Sequence, residues 1–339
     1  MTRPNHILVI RFSALGDVAM AVPVLRALLD QFPQLKITVL TKPRFVPIFE
    51  SLPQLNFLTP DFNDRHKGLI GLFRLAKDIR KLGIDAIADL HNVLRTNVLK
   101  LFLNGFPFVQ VDKGRGEKKA LVKGKIFRQL LSTHKRYADV FRKLGYSISL
   151  DNPTFPEKHK LKIDQFFPQL DSGKYLIGIA PFAAHPSKMY PLNLMEEVIE
   201  ELSEKYQIVL FGGGKEEKKV LERIENQNLN VVSAAGKLPL EKELALISKL
   251  NLMISMDSGN GHLAAIYGLK VLTVWGVTHP FAGFTPFNQA IENSLMPDRA
   301  EFPLIPTSVY GNKFPKHYLN VAGTIEPSTV VRKVEEMLG

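Results

Sequence analysis

The apolar positions of this chain fall into two alternating series. Ile7-Leu-Val-Ile10 is a short continuous apolar run with β-branched residues, the pattern of a strand buried in a parallel sheet. Phe12-Ser-Ala-Leu-Gly16 reads as a turn. From Asp17 onward Val18, Val22, Leu25 and Leu29 share one helical face, with Pro23 in the first two turns, where proline is better tolerated. The alternation continues with a strand over 36–40, a short helix over 45–51 and a helix over 69–82 closed by Gly83. A strand over 84–88 leads through Asp89-Leu-His-Asn92 into a helix from Val93, and 121–131 and 137–144 predict two more helices. Strands alternating with helices give βαβ units and a parallel sheet.

Residues 146–160 change character, with Pro153, Pro156 and few apolar positions, as a linker does. A second series follows. Strands are predicted over 176–180, 207–211, 231–232, 252–255 and 271–274. Helices are predicted over 195–205, 220–226, 240–250 and 261–267. The stretch 281–321 is rich in proline and aromatics and reads as loop, and 327–338 is an amphipathic helix. At 339 residues the chain exceeds what one core usually holds, about 250–300 residues. The expected organisation is therefore two doubly wound α/β domains, 1–155 and 156–339. The last helix, about 327–339, is placed in the second domain with a return onto the first left open. Ligands of such sheets bind at the carboxyl ends of the strands, and for two facing domains the expected site is the cleft between them.

Composition narrows the class. A hydrophobic content of 45% with 23% charged residues excludes wholesale disorder and a membrane-spanning bundle. The absence of cysteine excludes disulfides, cysteine zinc sites, thiol catalysis and iron–sulfur clusters. Arg11 ends the first apolar run at once, and no window reaches the ~18 apolar residues of a membrane span, so a cytoplasmic protein without an export signal is expected. The net charge of +11 is uneven. Residues 1–160 hold 27 Lys+Arg against 13 Asp+Glu, and 161–339 hold 17 against 20. Such asymmetry points to an anionic partner of the first half, whether nucleic acid, lipid surface or phosphorylated substrate, or else to a lysine-rich solvated surface. The run from Lys113 to Lys125 carries six cations and one acid, which suits phosphates and carboxylates or an anionic membrane leaflet. No nucleic-acid-binding motif accompanies it, so nucleic acid is not the expected partner.

Several chemistries are missing. There is no P-loop, no G-x-G-x-x-G after the first strand, no G-x-S-x-G elbow, no H-E-x-x-H and no D-x-D. No metal or cofactor is suggested. Four places remain. Ser13-Ala-Leu-Gly-Asp17 follows the first strand, where Gly16 lets a ligand approach and Asp17 is either functional or a helix-start acid. Ala180 to Pro191 holds the equivalent place in the second series, and its Ser187 and Lys188 either hold a phosphate or lie in a solvated loop. Phe211-Gly-Gly-Gly214 is a close-approach turn or a plain one. Ser255-Met-Asp-Ser-Gly-Asn-Gly-His262 opens a helix whose first N–H groups suit a phosphate, with His262 either a ligand contact or a capping or core residue.

Taken in order, these segments resemble the lipopolysaccharide heptosyltransferases, glycosyltransferase family 9. The resemblance rests on Ile7 to Asp17, Asp89-Leu-His-Asn92 with Arg95, Lys188-Met-Tyr-Pro191, Phe211-Gly-Gly-Gly214, Ala235-Gly-Lys237, Asp257-Ser-Gly-Asn-Gly-His262 and Gly276-Val-Thr-His-Pro280. It implies a GT-B fold, two Rossmann-like domains across a cleft, and an inverting, metal-independent transfer of heptose from ADP-heptose to the inner core of lipopolysaccharide. By likeness Asp17 falls at the family's general base, and Lys188 at a lysine near the donor diphosphate. Donor binding is then expected of Ser187, Lys188, Gly212, Gly213, Asp257, Ser258, Gly259, Asn260, Gly261 and His262. Binding of an anionic lipid-linked acceptor is expected of the first domain, through Ser13, Gly16, His91, Arg95, Arg115, Lys118, Lys119 and Lys123, with contact at the inner face of the inner membrane. The chain departs from the family at Ala183-Ala184, where hydroxyls are common, at Tyr190, where Trp is usual, at His91, where Gln is frequent, and at His279, where an acid is common. Another nucleotide sugar, or a sugar-nucleotide epimerase of the same fold, is the alternative.

Overall fold

The computed structural model describes residues 3–160, 167–171 and 173–339. The chain forms two compact units. One comprises Met1–Gly114 with Leu131–Thr154, the other Arg115–Leu130 with Phe155–Gly339.

The first unit contains β1 (His6–Ile10), α1 (Leu15–Ala19), α2 (Ala21–Gln31), β2 (Lys36–Leu40), a 3₁₀ turn at Pro43–Phe49, β3 (Asn56–Leu58), α3 (Gly68–Arg80), β4 (Ala86–Asp89), α4 (Leu94–Phe102) and β5 (Phe108–Gln110). After α5 (Arg115–Val122), which belongs to the second unit, α6 (Thr133–Lys143) completes it. The sheet is all-parallel in the order β3-β2-β1-β4-β5. β1 is central, Ile7 pairing with Ile37 on one side and Ala86 on the other, and its apolar run is fully buried. The single helix expected after β1 is two. Pro23 cannot donate to the Ala19 carbonyl, so α1 stops, and α2 restarts with Pro23 at its third position, where no N–H partner is needed. β3 and β5 escaped the apolar pattern because each is three residues long and none of their residues is fully buried.

The second unit runs β6 (Leu176–Ala180), α7 (Leu192–Ser203), β7 (Gln207–Leu210), α8 (Lys215–Gln227), β8 (Val231–Ser233), α9 (Leu240–Ile247), β9 (Leu252–Met256), α10 (Gly259–Ile266), β10 (Lys270–Val274), β11 (Ser294–Leu295) and α11 (Pro327–Leu338). Its sheet is also all-parallel, in the order β11-β10-β9-β6-β7-β8. α11 packs on α7, β9 and β10 and places Val330, Val331, Val334 and Met337 in this unit's core.

From Arg115 onward the basic run groups with the second unit, while Lys113 stays with the first; the whole run was expected in the first domain. α5 also starts and ends earlier than the apolar pattern of 121–131 implied. Gly124, at φ +66°, closes it with its N–H on the Leu121 carbonyl at 3.0 Å. The apolar residues beyond, Ile126 and Leu130, pack as a loop on Phe281 and Phe284, and the Leu130 N–H donates to the Phe281 carbonyl at 2.9 Å. The charge asymmetry softens accordingly. The first unit holds 19 Lys+Arg against 11 Asp+Glu, and the second holds 25 against 22. No helix among the described residues is long and apolar enough to cross a membrane.

In each sheet the chain leaves a central strand first to one side and later to the other. The reversal falls between β1 and β4 in the first unit and between β6 and β9 in the second. Loops that follow such a strand pair diverge and leave a crevice at the strands' carboxyl ends.

Candidate functional site

In the first unit the loops after β1 and β4 come together. Asp17 lies in the first turn of α1, where its Oδ2 accepts from the Ala14 N–H at 3.3 Å. The same oxygen forms an ion pair with the guanidinium of Arg11, the residue that ends β1. Arg11 is buried and anchored a second time, donating from Nη1 to the Leu90 carbonyl at 2.6 Å. Its guanidinium stands 5.9 Å from the ring centroid of the buried Tyr137, whose hydroxyl donates to the Asp17 carbonyl at 3.4 Å. The Asp17 side chain stays 31% exposed. One carboxylate oxygen is thus held by a fixed cation while the group remains reachable from solvent.

Asp89, at the end of β4, is fully buried and shapes the neighbouring loop. Its Oδ1 accepts from the N–H groups of His91 and Asn92, both at 2.9 Å, and its Oδ2 from Gln110 at 2.9 Å. This turn delivers His91 beside Ser13, with Nε2 and Oγ 3.5 Å apart. The His91 ring meets Phe12 edge-on at 5.6 Å, and its Nδ1 has no hydrogen-bond partner. Burial, with Arg11, Lys113, Arg95 and Lys42 nearby, pushes its pKa down to about 3, so the imidazole is neutral at ordinary pH. Arg95, in the first turn of α4, is exposed, its guanidinium 4.1 Å from the centroid of Phe62. Gly16 lies in α1, its carbonyl accepting from Met20 at 2.9 Å.

In the second unit the loops after β6, β9 and β10 meet. Lys188 Nζ and Asp257 Oδ2 are 2.8 Å apart, with side chains only 12% and 9% exposed, and Thr278 donates to the same oxygen at 2.9 Å. Two glycines make room for this lysine. A Cβ on Gly311, which sits at φ +81°, would lie 2.5 Å from Lys188 Cγ, and one on Gly276 would lie 2.1 Å from the Ser187 carbonyl oxygen. Ser187 is buried and donates to the Gly311 carbonyl at 2.5 Å, so its hydroxyl positions the loop and does not project toward a ligand. Ser258 caps α10 with its hydroxyl buried and unpartnered, and a Cβ on Gly261 would lie 2.5 Å from Ser255 Oγ. Gly259 and Asn260 are half-buried at the same helix start, and His262 is buried one turn in. Among the described residues, no cluster of His, Cys, Asp and Glu is arranged to hold a metal.

The other expected residues have partners of their own. Gly212 and Gly213 follow β7, where the Gly213 N–H donates to Glu217 Oε2 at 2.6 Å. Lys118 is buried with Nζ 3.9 Å from the Phe284 centroid, while Arg115, Lys119 and Lys123 are exposed on or beside α5. Tyr190, one of the departures, is buried core, its hydroxyl donating to the Ile325 carbonyl at 2.6 Å. His279, another departure, is buried and accepts on Nδ1 from the Phe281 N–H at 3.1 Å. Burial and Arg299 push its pKa down to about 4. Arg11, Tyr137 and Gly311 were given no role from the sequence and Thr278 was noted only within Gly276-Val-Thr-His-Pro280, although a charged residue directly after an apolar run was the available signal for Arg11.

Two all-parallel α/β units, with their ordered loops gathered at the strand ends, are the frame of the GT-B glycosyltransferases. A family model for Glycosyltransferase family 9 (heptosyltransferase) matches residues 72–311, and the chain belongs to this family. Its relatives include the lipopolysaccharide core heptosyltransferase OpsX of Haemophilus influenzae, 25% identical over 299 residues that cover 84% of this chain and 82% of that protein. Among solved structures, the family 9 glycosyltransferase of Veillonella parvula superposes with a TM-score of 0.76 at 22% identity, covering 98% of this chain and 97% of the other. The E. coli ADP-heptose LPS heptosyltransferase II superposes at 0.67 and 20% identity, covering 98% of each.

Two outcomes follow from the site's electrostatics. Asp257→Asn leaves the largely enclosed Lys188 ammonium without its counter-charge, so urea unfolding should show a loss of about 3 kcal/mol, with more than half regained in Asp257→Asn/Lys188→Met. An unchanged single variant would mean that the pair is not held as described. For His91 the folded pKa lies below the unfolded one. Its contribution is therefore present above pH ~6.5 and is lost as pH falls toward ~3, because the unfolded chain takes up the proton first. Between pH 6 and 5 His91→Gln should lose about 1 kcal/mol less stability than the parent. Equal losses in the two proteins would contradict the burial of a neutral imidazole.

Proposed function

We propose that this glycosyltransferase moves heptose from ADP-heptose to the inner core of lipopolysaccharide, with inversion and without a metal ion. The observation that carries the reading is the Asp17 carboxylate in the first turn of α1, oriented by the buried Arg11 and open to solvent. The donor and acceptor are inferred from the names of the relatives, among them the core heptosyltransferase OpsX and the ADP-heptose LPS heptosyltransferase II.

In this reading an acceptor hydroxyl attacks the anomeric carbon of the donor from the face opposite the diphosphate. The new C–O bond forms as the bond to the diphosphate breaks, ADP leaves with the electron pair, and the hydroxyl proton passes to Asp17. His91, neutral and beside Ser13, serves as a hydrogen-bonding wall of the acceptor subsite and not as a cation. The departing diphosphate gains negative charge. Lys188 and the N–H groups that open α10 at Gly259 answer that charge, which is the work a divalent cation does in other transferases. Asp257 and Thr278 keep the ammonium in place until the donor arrives. The exposed cations Arg115, Lys119 and Lys123 belong to the same unit as Lys188, so their acceptor role is assigned on charge alone.

The test is an incubation of the purified chain with ADP-heptose and a truncated core acceptor, with UDP- and GDP-sugars in parallel and EDTA in one arm. ADP release that requires the acceptor, survives EDTA and yields an inverted linkage is the expected result. Release from another nucleotide sugar alone would replace the donor. Isomerised sugar nucleotide without acceptor would make the protein an epimerase.

A further inference from the structure

The first unit exposes large apolar side chains that its core does not use. α3 turns Leu72, Leu75, Ala76 and Ile79 inward, yet Leu69, Ile70 and Phe73 face solvent. On α4, Leu94 is 81% and Leu101 74% exposed. They recur along two helices that pack on each other. Leu69 and Phe73 are one turn apart, and Leu94 and Leu101 two turns apart. The Phe73 and Phe102 rings meet edge to face at 5.6 Å across the seam, where Arg80 also donates to the Phe102 carbonyl at 2.8 Å. An apolar patch of this kind on a folded unit marks an interaction surface.

Its charge selects the partner. α3 and α4 carry Arg74, Lys77, Arg80, Arg95 and Lys100 against one acid, Asp78. That acid is already engaged, accepting from Arg65 at 2.6 Å and lying 3.3 Å from His66 Nε2. Lys77 Nζ lies 4.8 Å from the Phe73 ring centroid, an ammonium next to the apolar patch. An apolar patch flanked by unopposed cations is complementary to an anionic bilayer, whose headgroups take the cations while the acyl boundary takes the leucines and isoleucine.

We propose that the α3–α4 face of the first unit docks this enzyme on an anionic lipid bilayer. The proposal deepens the reading of a lipid-borne acceptor and rests on it for its purpose. Vesicle binding is measured without donor or acceptor, so either can fail alone.

The full chain is to be co-sedimented with phosphatidylethanolamine–phosphatidylglycerol vesicles and with phosphatidylcholine vesicles. Binding to the anionic vesicles that weakens with salt is expected. Ile70→Ser/Leu94→Ser should lower the partition coefficient by about tenfold or more. Lys77→Glu/Lys100→Glu should lower it on anionic vesicles only. As an independent readout, Ile70→Trp should shift its emission to the blue when anionic vesicles are added. All these positions are exposed, and an unchanged thermal midpoint checks each fold. Absent binding, binding indifferent to Ile70→Ser/Leu94→Ser, or loss only on neutralising Lys119 and Lys123 would overturn the proposal. So would a concentration-dependent dimer abolished by Ile70→Ser/Leu94→Ser, which would give this face to a second copy of the chain.

Discussion

A cation held against a carboxylate at the point where a parallel sheet reverses its strand order is the feature on which both units are organised. In the first, Arg11 from the end of β1 holds Asp17. In the second, Lys188 from the loop after β6 holds Asp257 from the end of β9. The sheet reversal explains the placement, because the loops that diverge there end at a common crevice. Desolvation explains the partnership. A cation this buried is costly unless a counter-charge and further hydrogen bonds meet it, and the Leu90 carbonyl and Thr278 complete the two sets.

The two pairs differ in exposure, and in the proposed reaction that difference separates their roles. Asp17 is reachable from solvent while its partner is buried, which leaves a carboxylate oriented but available for a proton. Asp257 is buried and Lys188 nearly so, and their neighbours Gly276 and Gly311 leave no space for a larger residue. That pair fixes an ammonium beside the start of α10, where the helix supplies N–H groups and Ser258 a hydroxyl without a partner. A carboxylate open to solvent suits a hydroxyl acceptor, and a walled ammonium next to a helix start suits a diphosphate.

Much of this was legible in the sequence because it follows strands. Asp17, Lys188 and the 257–262 loop each come soon after a continuous apolar run, and the sheet type says that such loops face the ligand. Arg11 was missed because its role depends on the Leu90 carbonyl, which only the pairing of β1 with β4 brings near. Ser187 looked like a phosphate ligand, but its hydroxyl turns to the Gly311 carbonyl more than a hundred residues on. The basic run was read as part of the first domain because chain order was the only guide. Its loop packs instead on Phe281 and Phe284, a contact that no local pattern encodes. Tyr190 stood out as a departure from the family's usual Trp and is a core residue with a satisfied hydroxyl.

The central claim is that the carboxylate held by Arg11 takes the acceptor's proton while the other unit holds the donor. Asp17→Asn keeps the side chain's size, removes its basicity and takes the counter-charge from Arg11, so its thermal midpoint is read beside its activity. Calorimetric titration with ADP-heptose beside steady-state turnover on a truncated core acceptor tests the claim most directly. The account predicts donor affinity within about twofold of the parent and turnover lower by about 100-fold or more. Turnover close to the parent's in a folded Asp17→Asn protein would contradict it.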